Sequence, residues 1–264
     1  MTMPSHEAEG ADPRPLHARI AADLREEILN GDLAAGASLP STAQLKTRFD
    51  ASNATIQKAV RLLKDEGLAV GRAGSAVTVR ENRQRTVRPA GSLTPAAAGA
   101  AYPWLAKVAE GRSPARSTLL SVGEVHVTGD VGAALGLPEG GSAVCRRQVI
   151  SIDGEPAELV CSYYPVDIAR GTPLAEARRI RGGTPTLLPE LGFPPHRSVD
   201  RVSARVATQE QYAVLRLPGD LPVLRTLRTV YGDDDRPVEV TVMVKAGHLH
   251  TLQYEFAPDA WPDA

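Results

Sequence analysis

Apolar side chains recur at every fourth position near the start of the chain, which places them on one side of a helix. The stripe consists of Leu16, Ile20, Leu24 and Ile28. Pro15 suits the first turn of a helix, and Asn30-Gly31 is a stop signal. The pattern predicts a first helix over residues 15–30.

Two shorter helices are predicted next, over residues 41–49 and 53–66. Ser41 and Ser52 suit their N-termini, because a serine hydroxyl accepts a hydrogen bond from a free backbone N–H. The second of these helices has an apolar face made of Ile56, Ala59, Val60 and Leu63. Its opposite face carries Asn53, Ala54, Gln57, Lys58 and Arg61. A tight turn followed by a helix with a polar, basic outer face is typical of a helix-turn-helix. The alternative is a solvated face on a small helical bundle.

A short hairpin is predicted after the third helix, from residues 68–70 and 77–79 around a glycine-rich tip. Arg72 and Ser75 lie in this tip, where a wing reaches a minor groove or a flanking phosphate. The hairpin favours a winged helix-turn-helix over the bundle. We expect this DNA-binding domain to cover residues 14–80, after a disordered leader at 1–13.

The second part of the chain is dominated by alternating, β-branched runs that are typical of strands. These runs cover residues 121–127, 143–152, 157–164, 222–231 and 238–245. Helical segments at 129–137 and 208–217 interrupt them. The pattern predicts an α+β domain with an antiparallel sheet over residues 104–258, and a tail at 259–264. A stretch rich in Ala, Gly and Pro predicts a linker over residues 81–103.

Charge is unevenly distributed although the formal net charge is only -1. Residues 14–90 carry 13 Lys and Arg against 8 Asp and Glu, which suggests an anionic partner for this part of the chain. We find no apolar run of membrane length and no secretory signal. Cys145 and Cys161 are too few for a disulfide framework, so a cytoplasmic location is expected.

Other kinds of chemistry have weak support in the sequence. His248 and His250 lack a third metal ligand at a suitable spacing and are interpreted as part of a surface loop. Phosphate-binding glycine loops and nucleophile motifs are missing from the sequence. No metal, no cofactor and no enzymatic activity are therefore predicted.

The first domain resembles the winged helix-turn-helix of GntR-family bacterial repressors. The resemblance is carried by Pro15-Leu16, the four-residue helix spacing, Gly36, Leu39-Pro40-Ser41, Ala51-Ser52, Thr55-Ile56, Leu63, Glu66-Gly67-Leu68 and the glycine-rich wing. It implies a DNA-binding surface that consists of Ser41, Thr42, Asn53, Thr55, Gln57, Lys58, Arg61, Arg72 and Ser75.

The DNA-reading positions depart from the pattern of that family. Members usually carry Glu-Arg where this chain has Thr42-Ala43, and they commonly carry Arg at the positions of Asn53 and Gln57. Asn and Gln pair with adenine edges whereas Arg pairs with guanine. We expect an operator with adenines under the third helix, and phosphate contacts from Lys58 and Arg61.

The second domain resembles the UTRA effector domain of the histidine-utilisation-repressor branch of the same family. The resemblance is carried by residues 121–125, 135–137, 144–147, 153–156, 162–165, 190–193, 215–218, 222–224, 228–229 and 236–239. It implies a chorismate-lyase-like fold that binds a small molecule and dimerises, without lyase activity.

The same resemblance implies an effector pocket whose arginine grips an anionic group. Arg147 is the first candidate for this role and Arg146 the second. The remaining expected pocket residues are Ser162, Tyr164, Arg228, Glu239 and Tyr254. The family often carries another Arg two residues beyond the first, where this chain has Val149, which argues against a phosphate ligand.

The function expected from these features is that of a homodimeric repressor that binds double-stranded DNA at a palindromic operator and is modulated by a small-molecule effector. Two alternatives stay open. One is a ligand-independent repressor whose second domain only dimerises. The other is a lyase-like enzyme with a DNA-binding appendage.

Overall fold

The computed structural model describes residues 12–71, 76–81, 84–89, 95–97, 100 and 115–256. The chain divides into two compact units, Met1–Gln84 and Arg85–Ala264. The predicted tail at 259–264, residues 1–11 of the leader predicted at 1–13 and about half of the predicted linker lie outside the described residues.

The first unit contains three helices and a two-stranded hairpin within its described residues. The helices are α1 (Leu16–Asn30), α2 (Thr42–Phe49) and α3 (Asn53–Asp65), and the strands are β1 (Ala69–Val70) and β2 (Thr78–Val79). The strands pair antiparallel. The core includes Ile20, Leu24, Ile28, Leu45, Ile56, Leu63 and Leu68. Leu16, the first residue of the predicted stripe, stays 36% exposed at the start of α1.

Two serines define the starts of α2 and α3, as the sequence predicts. Ser41 Oγ accepts a hydrogen bond from the Gln44 backbone N–H, and the Gln44 side chain accepts one from the Ser41 N–H. Ser52 Oγ accepts a hydrogen bond from Thr55 N at 3.2 Å. The caps satisfy N–H groups that have no partner within the helix, so they position the turn between α2 and α3.

The second unit is built on a six-stranded antiparallel sheet with the order β4-β5-β6-β9-β8-β7. The strands are β4 (Arg116–His126), β5 (Ser142–Ile152), β6 (Glu155–Pro165), β7 (Arg197–Arg205), β8 (Val223–Tyr231) and β9 (Pro237–Ala246). With its helices, the sheet confirms the predicted α+β class.

Helices cover both faces of this sheet. They are α4 (Gly129–Leu135), α5 (Val166–Ala169), α6 (Thr184–Glu190) and α7 (Gln209–Leu215). On one face, Val149 and Leu159 pack with Leu215 of α7, and α4 packs on the same side. On the other face, Tyr164 packs with Leu188 of α6 and with α5. Since successive strand residues point to opposite faces, this arrangement determines which side chains can line a pocket.

The sequence analysis missed strand β7, which lies at the edge of the sheet. Its apolar residues Val199 and Val202 stay 41% and 44% exposed, and its other positions are mostly charged or small. An edge strand need not bury a continuous apolar face, so the alternation that predicts a strand is absent here.

The predicted linker begins as an ordered part of the second unit. Strand β3 (Arg85–Val87) pairs in parallel with β10 (His250–Leu252). Val87 is buried against Ile150 and Val160 of the sheet. The prediction of a linker is therefore wrong for residues 85–89, because this segment docks through both backbone and side-chain contacts.

Candidate functional site

A row of polar side chains crosses the sheet of the second unit. The strand register aligns Asp200, Arg228, Thr241, Ser162 and Arg146, on β7, β8, β9, β6 and β5 in that order. Four of them are buried, Asp200 being the exception. Buried polar groups are costly unless hydrogen-bonded, so a whole row of them indicates a specialised surface.

The four buried residues of this row form the floor of a cavity of about 150 Å³. Gln148, Val160 and Met243 extend the floor, and the segment 179–185 at the start of α6 contributes the opposite wall. A cavity of this size accommodates a small ring compound. The second unit therefore contains a pocket suited to a small organic ligand.

Arg146 on the floor is bound by backbone carbonyl groups. Its Nη1 donates to the oxygens of Pro173, Leu174 and Glu176 at 3.3, 2.8 and 2.8 Å, and its Nη2 donates to that of Arg178 at 2.6 Å. Burial lowers the pKa of Arg146. The guanidinium thus fastens the loop 173–178 to the sheet.

Arg228, the second arginine of the floor, forms a two-pronged ion pair. Its Nε and Nη2 donate to the Asp200 carboxylate at 2.6 and 2.7 Å, and Nη2 also lies 3.3 Å from the Pro89 oxygen. The pair is shielded from water, since the side chains are 7% and 11% exposed. Parallel N–H bonds of this kind hold both partners in one geometry.

Glu239 lies buried beside the row and is held by hydroxyl groups. Thr241 Oγ1 donates to its Oε1 at 2.5 Å, and Thr184 Oγ1 donates to its Oε2 at 3.1 Å. Ser162 Oγ lies 2.8 Å from Thr241 Oγ1 and continues the chain. Burial raises the pKa of the Glu239 carboxyl, and these hydrogen bonds and the Arg228 charge oppose the rise.

The structure brings five of the seven expected effector residues together. The pocket is lined by Arg146, Ser162, Tyr164, Arg228 and Glu239. The sequence analysis missed Arg179, Thr184 and Thr241, together with the buried ion pair of Glu158 and Lys245 at 2.5 Å. Arg179 lies in an irregular segment and Thr184 begins a helix of only seven residues, so no periodic pattern marked them.

Arg147 and Tyr254 lie outside the pocket lining. Arg147 neighbours Arg146 on β5 and so points to the opposite face, where its guanidinium pairs with Glu210 of α7. Tyr254 is 41% exposed and its hydroxyl lies 3.4 Å from the Asp200 carboxylate, behind the end of the row. The order of preference expected for the two arginines is thus reversed: Arg146 lines the pocket.

The first unit carries the expected DNA-facing side chains on α2 and α3. Asn53, Gln57, Lys58 and Arg61 are all exposed on α3. Gln57 Nε2 donates to Thr42 Oγ1 at 3.3 Å, which links the two helices. Ser41 and Thr55 take part in the two helix caps. Arg72 and Ser75 lie outside the described residues.

The two histidines expected in a surface loop are buried instead. His248 belongs to a short 3-10 helix, and His250 begins β10 with its Nδ1 3.0 Å from the Ala246 oxygen. Burial lowers the pKa of His250 to about 3. Within the described residues, no three potential ligands form a metal site, and no helix is long and apolar enough to cross a membrane.

Comparison with protein families matches both units. Residues 16–79 match the gntR family of bacterial regulatory proteins, and residues 109–250 match the UTRA domain. An uncharacterised HTH-type transcriptional regulator of Streptomyces coelicolor is 29% identical over 95% of this chain and 96% of its own length. The mannosyl-D-glycerate transport/metabolism system repressor of Escherichia coli is 36% identical, but over only 26% of this chain and 29% of its own.

Solved structures show the same fold. A structure assigned to the GntR family has a TM-score of 0.59 at 24% identity, and the match covers 93% of this chain and 99% of the solved chain. PhnF from Mycobacterium smegmatis has a TM-score of 0.54 at 17% identity and covers 91% of this chain and 100% of its own. The matched proteins with a stated function are transcription regulators and not enzymes.

Proposed function

The chain belongs to the GntR family of transcription regulators and carries a UTRA domain, and on this premise we propose that it is a repressor controlled by a small-molecule effector in the pocket above β5, β6, β8 and β9. The observation that supports an effector is the cavity with a buried, hydrogen-bonding floor. A domain that served only for dimerisation would have no need of it.

The DNA-binding surface we propose consists of the exposed face of α3 and the start of α2. Asn53 and Gln57 read base edges, since their amides match adenine, and Lys58 and Arg61 contact phosphates. Ser41, Thr42 and Thr55 flank this face, and the proposed surface also includes Arg72 and Ser75, which lie between β1 and β2 in the sequence. Selection of binding sites from random DNA tests the proposal, and enrichment of a guanine-centred site would contradict it.

We further propose that the protein acts in the cytoplasm as a homodimer on a palindromic operator. Two copies of α3 related by a two-fold axis read two half-sites in opposite directions. Light scattering gives the mass in solution, and operators with one or two half-sites show whether both are required. Equal affinity for a single half-site would argue against the dimer.

The effector acts in this proposal by binding more tightly to one arrangement of the regulator than to the other. Titration of operator-bound protein with the effector then changes the DNA affinity. The competing possibility is a ligand-independent repressor, and it gains some support from the carbonyl groups and the carboxylate that already engage Arg146 and Arg228. A thermal-shift screen of the full-length protein separates the two, since only a ligand-binding domain is stabilised.

A further inference from the structure

Five charged side chains of the described residues line the pocket, and the partners of each determine which of them a ligand can use. Arg146 donates to four carbonyl oxygens, and Arg228 is engaged by Asp200 and Pro89. Glu158 is neutralised by Lys245. These three charges are satisfied from within the protein, so they offer little to a ligand.

Glu239 keeps unused capacity for hydrogen bonds. An ionised carboxylate offers about four acceptor positions. Each oxygen of Glu239 accepts one hydrogen bond from a threonine, Thr241 or Thr184, and the Ser162 hydroxyl also interacts with the carboxylate. The burial of this carboxylate makes any additional N–H or O–H donor valuable, because the donor compensates for lost hydration. The inner end of the pocket is therefore suited to a ligand group that donates hydrogen bonds.

Arg179 is the other available charge. Within the described part of the chain it forms no hydrogen bond and no ion pair, although it lines the pocket. It also borders a neighbouring recess with Ser117 and Asp153, so it lies at an open end of the cavity. A guanidinium fork matches one carboxylate through two parallel hydrogen bonds.

The two available groups lie at different ends of the floor. Thr241, which contacts Glu239, belongs to the row that contains Arg146. Ser117, which borders the recess with Arg179, pairs with Ile150, four positions further along β5. Four strand residues span roughly 13 Å, and the length of the arginine side chain shortens the distance between the two available groups. The pocket thus has an acceptor end and a cationic end.

We infer that the effector is a small monocarboxylic acid with hydroxyl or amino groups at the end opposite its carboxylate. Its donors bind Glu239 and its carboxylate binds Arg179. This inference rests on the proposed function, in which the pocket holds an effector. A phosphate ester fits less well, because its dianion carries two negative charges and meets a single available guanidinium among the described residues that line the pocket.

The test compares three sets of compounds with matched carbon skeletons on the full-length protein. The sets are hydroxy- and amino-monocarboxylates such as D-gluconate and D-glucosaminate, phosphate esters such as D-glucose 6-phosphate, and neutral sugars and polyols. We expect only the acids to raise Tm, by about 3 to 6 °C at roughly ten times Kd. Stronger stabilisation by a phosphate ester, or none by any acid, overturns the inference.

Variants then test the two contacts with the best-binding acid. We expect Arg179→Gln and Glu239→Gln each to weaken its binding roughly 10- to 100-fold, since each removes a charge-assisted hydrogen bond. Arg181→Gln is the matched control, because it removes the same charge from the same segment but lies outside the pocket lining. Equal losses in all three variants would show a general field effect and overturn the assignment.

Operator binding by the same samples distinguishes a wrong ligand class from a wrong proposed function. If the wild-type protein binds its operator but prefers phosphate esters, the inferred ligand class is wrong and the proposed function stands. If the wild-type protein binds no operator, the proposed function as a DNA-binding regulator is wrong, even if an acid binds in the pocket.

Discussion

The guanidinium of Arg228 lies 3.3 Å from the carbonyl oxygen of Pro89 through Nη2. Arg228 belongs to the pocket floor, whereas Pro89 follows β3, the strand that comes directly after the last residue of the first unit. Val87 of the same segment is buried against Ile150 and Val160, which also line the pocket. The segment 85–89 is therefore docked on the sheet face that holds the pocket.

The first prediction concerns this docking. Arg228→Met leaves Asp200 without its cation, so we expect the free energy of unfolding to fall by roughly 3 kcal/mol. The hydrogen exchange of the amides of residues 85–87, measured relative to that of the central strand β6, should then be faster than in the wild-type protein. Hydrogen exchange under conditions where the protein stays folded measures this ratio.

The control for this prediction is Arg225→Met. Arg225 lies on the same strand and pairs with Asp130 at 2.8 Å, on the opposite face of the sheet. It should leave the exchange of residues 85–87 unchanged relative to β6. If both variants accelerate this exchange equally, Arg228 has no particular role in holding the segment.

A second prediction contrasts the adjacent arginines of β5. Arg146→Met removes the donors to four carbonyl groups, so we expect a loss of about 3 kcal/mol or more and faster proteolysis within residues 173–178. Arg147→Met breaks only a half-exposed pair with Glu210 and should cost less than about 1 kcal/mol. Denaturant titration of both variants measures the loss in free energy of unfolding, and similar losses would refute the structural role of Arg146.

The third prediction concerns the outer face of α3. Lys58→Ala and Arg61→Ala should weaken binding to all DNA sequences alike and reduce the salt slope by about one each, because each removes a phosphate contact. Asn53→Ala and Gln57→Ala should instead relax the preference at particular base pairs, by roughly 1 to 3 kcal/mol each. Fluorescence anisotropy on operator and scrambled DNA at several salt concentrations separates the two effects.

The matched control for the cations is Arg201→Ala, which removes an exposed positive charge from β7 in the second unit. It should leave the salt slope unchanged. An equal drop in slope with this variant would mean that overall charge, rather than the α3 face, governs DNA affinity.

A fourth prediction follows from the buried His250. Its pKa in the folded protein is about 3, well below the value near 6.5 of an unfolded chain. The unfolded state therefore binds more protons below pH 6.5, and stability is lost as pH falls from there toward 3. Between pH 7.5 and 5.5 we expect the free energy of unfolding to fall by about 1.4 kcal/mol more in the wild-type protein than in His250→Gln.

Denaturant unfolding at both pH values measures this difference. The control variant is His126→Gln, since His126 is exposed on β4. Parallel curves for wild type and His250→Gln would rule the effect out.

The sequence predicts those elements whose apolar residues face a single core. All three helices of the first unit begin within one residue of the expected position. Their apolar stripes, Pro15 before α1 and the serine caps of α2 and α3 are all local signals. The predicted strands were also found, and four of the five bury apolar side chains, whereas β4 at the edge of the sheet buries no side chain. Strand β7 carries no such signal because it lies at the edge of the sheet and buries no continuous apolar face. The pair β3–β10 carries none because both strands are three residues long and each finds its partner far away in sequence.

The pocket shows a similar limit at the level of single residues. Arg146 and Arg147 are equivalent as a dipeptide, and only the register of β5 shows which of them faces the cavity. The availability of a charge was equally hidden, because the carbonyl groups around Arg146 come from a loop without a pattern of its own. The sequence therefore identifies the type of group in the pocket but not its partners.

The pairing of β3 with β10 has a consequence for how the protein is made. Arg88 and Gln253, which are hydrogen-bonded beside this pair, are 165 residues apart, whereas the first unit is complete at Gln84. Domains generally fold as units in the order in which they leave the ribosome. The DNA-binding head is thus complete early, while β3 waits for nearly the whole of the remaining chain. A nascent regulator passes through a stage in which its head is formed but not yet under the control of its sensor.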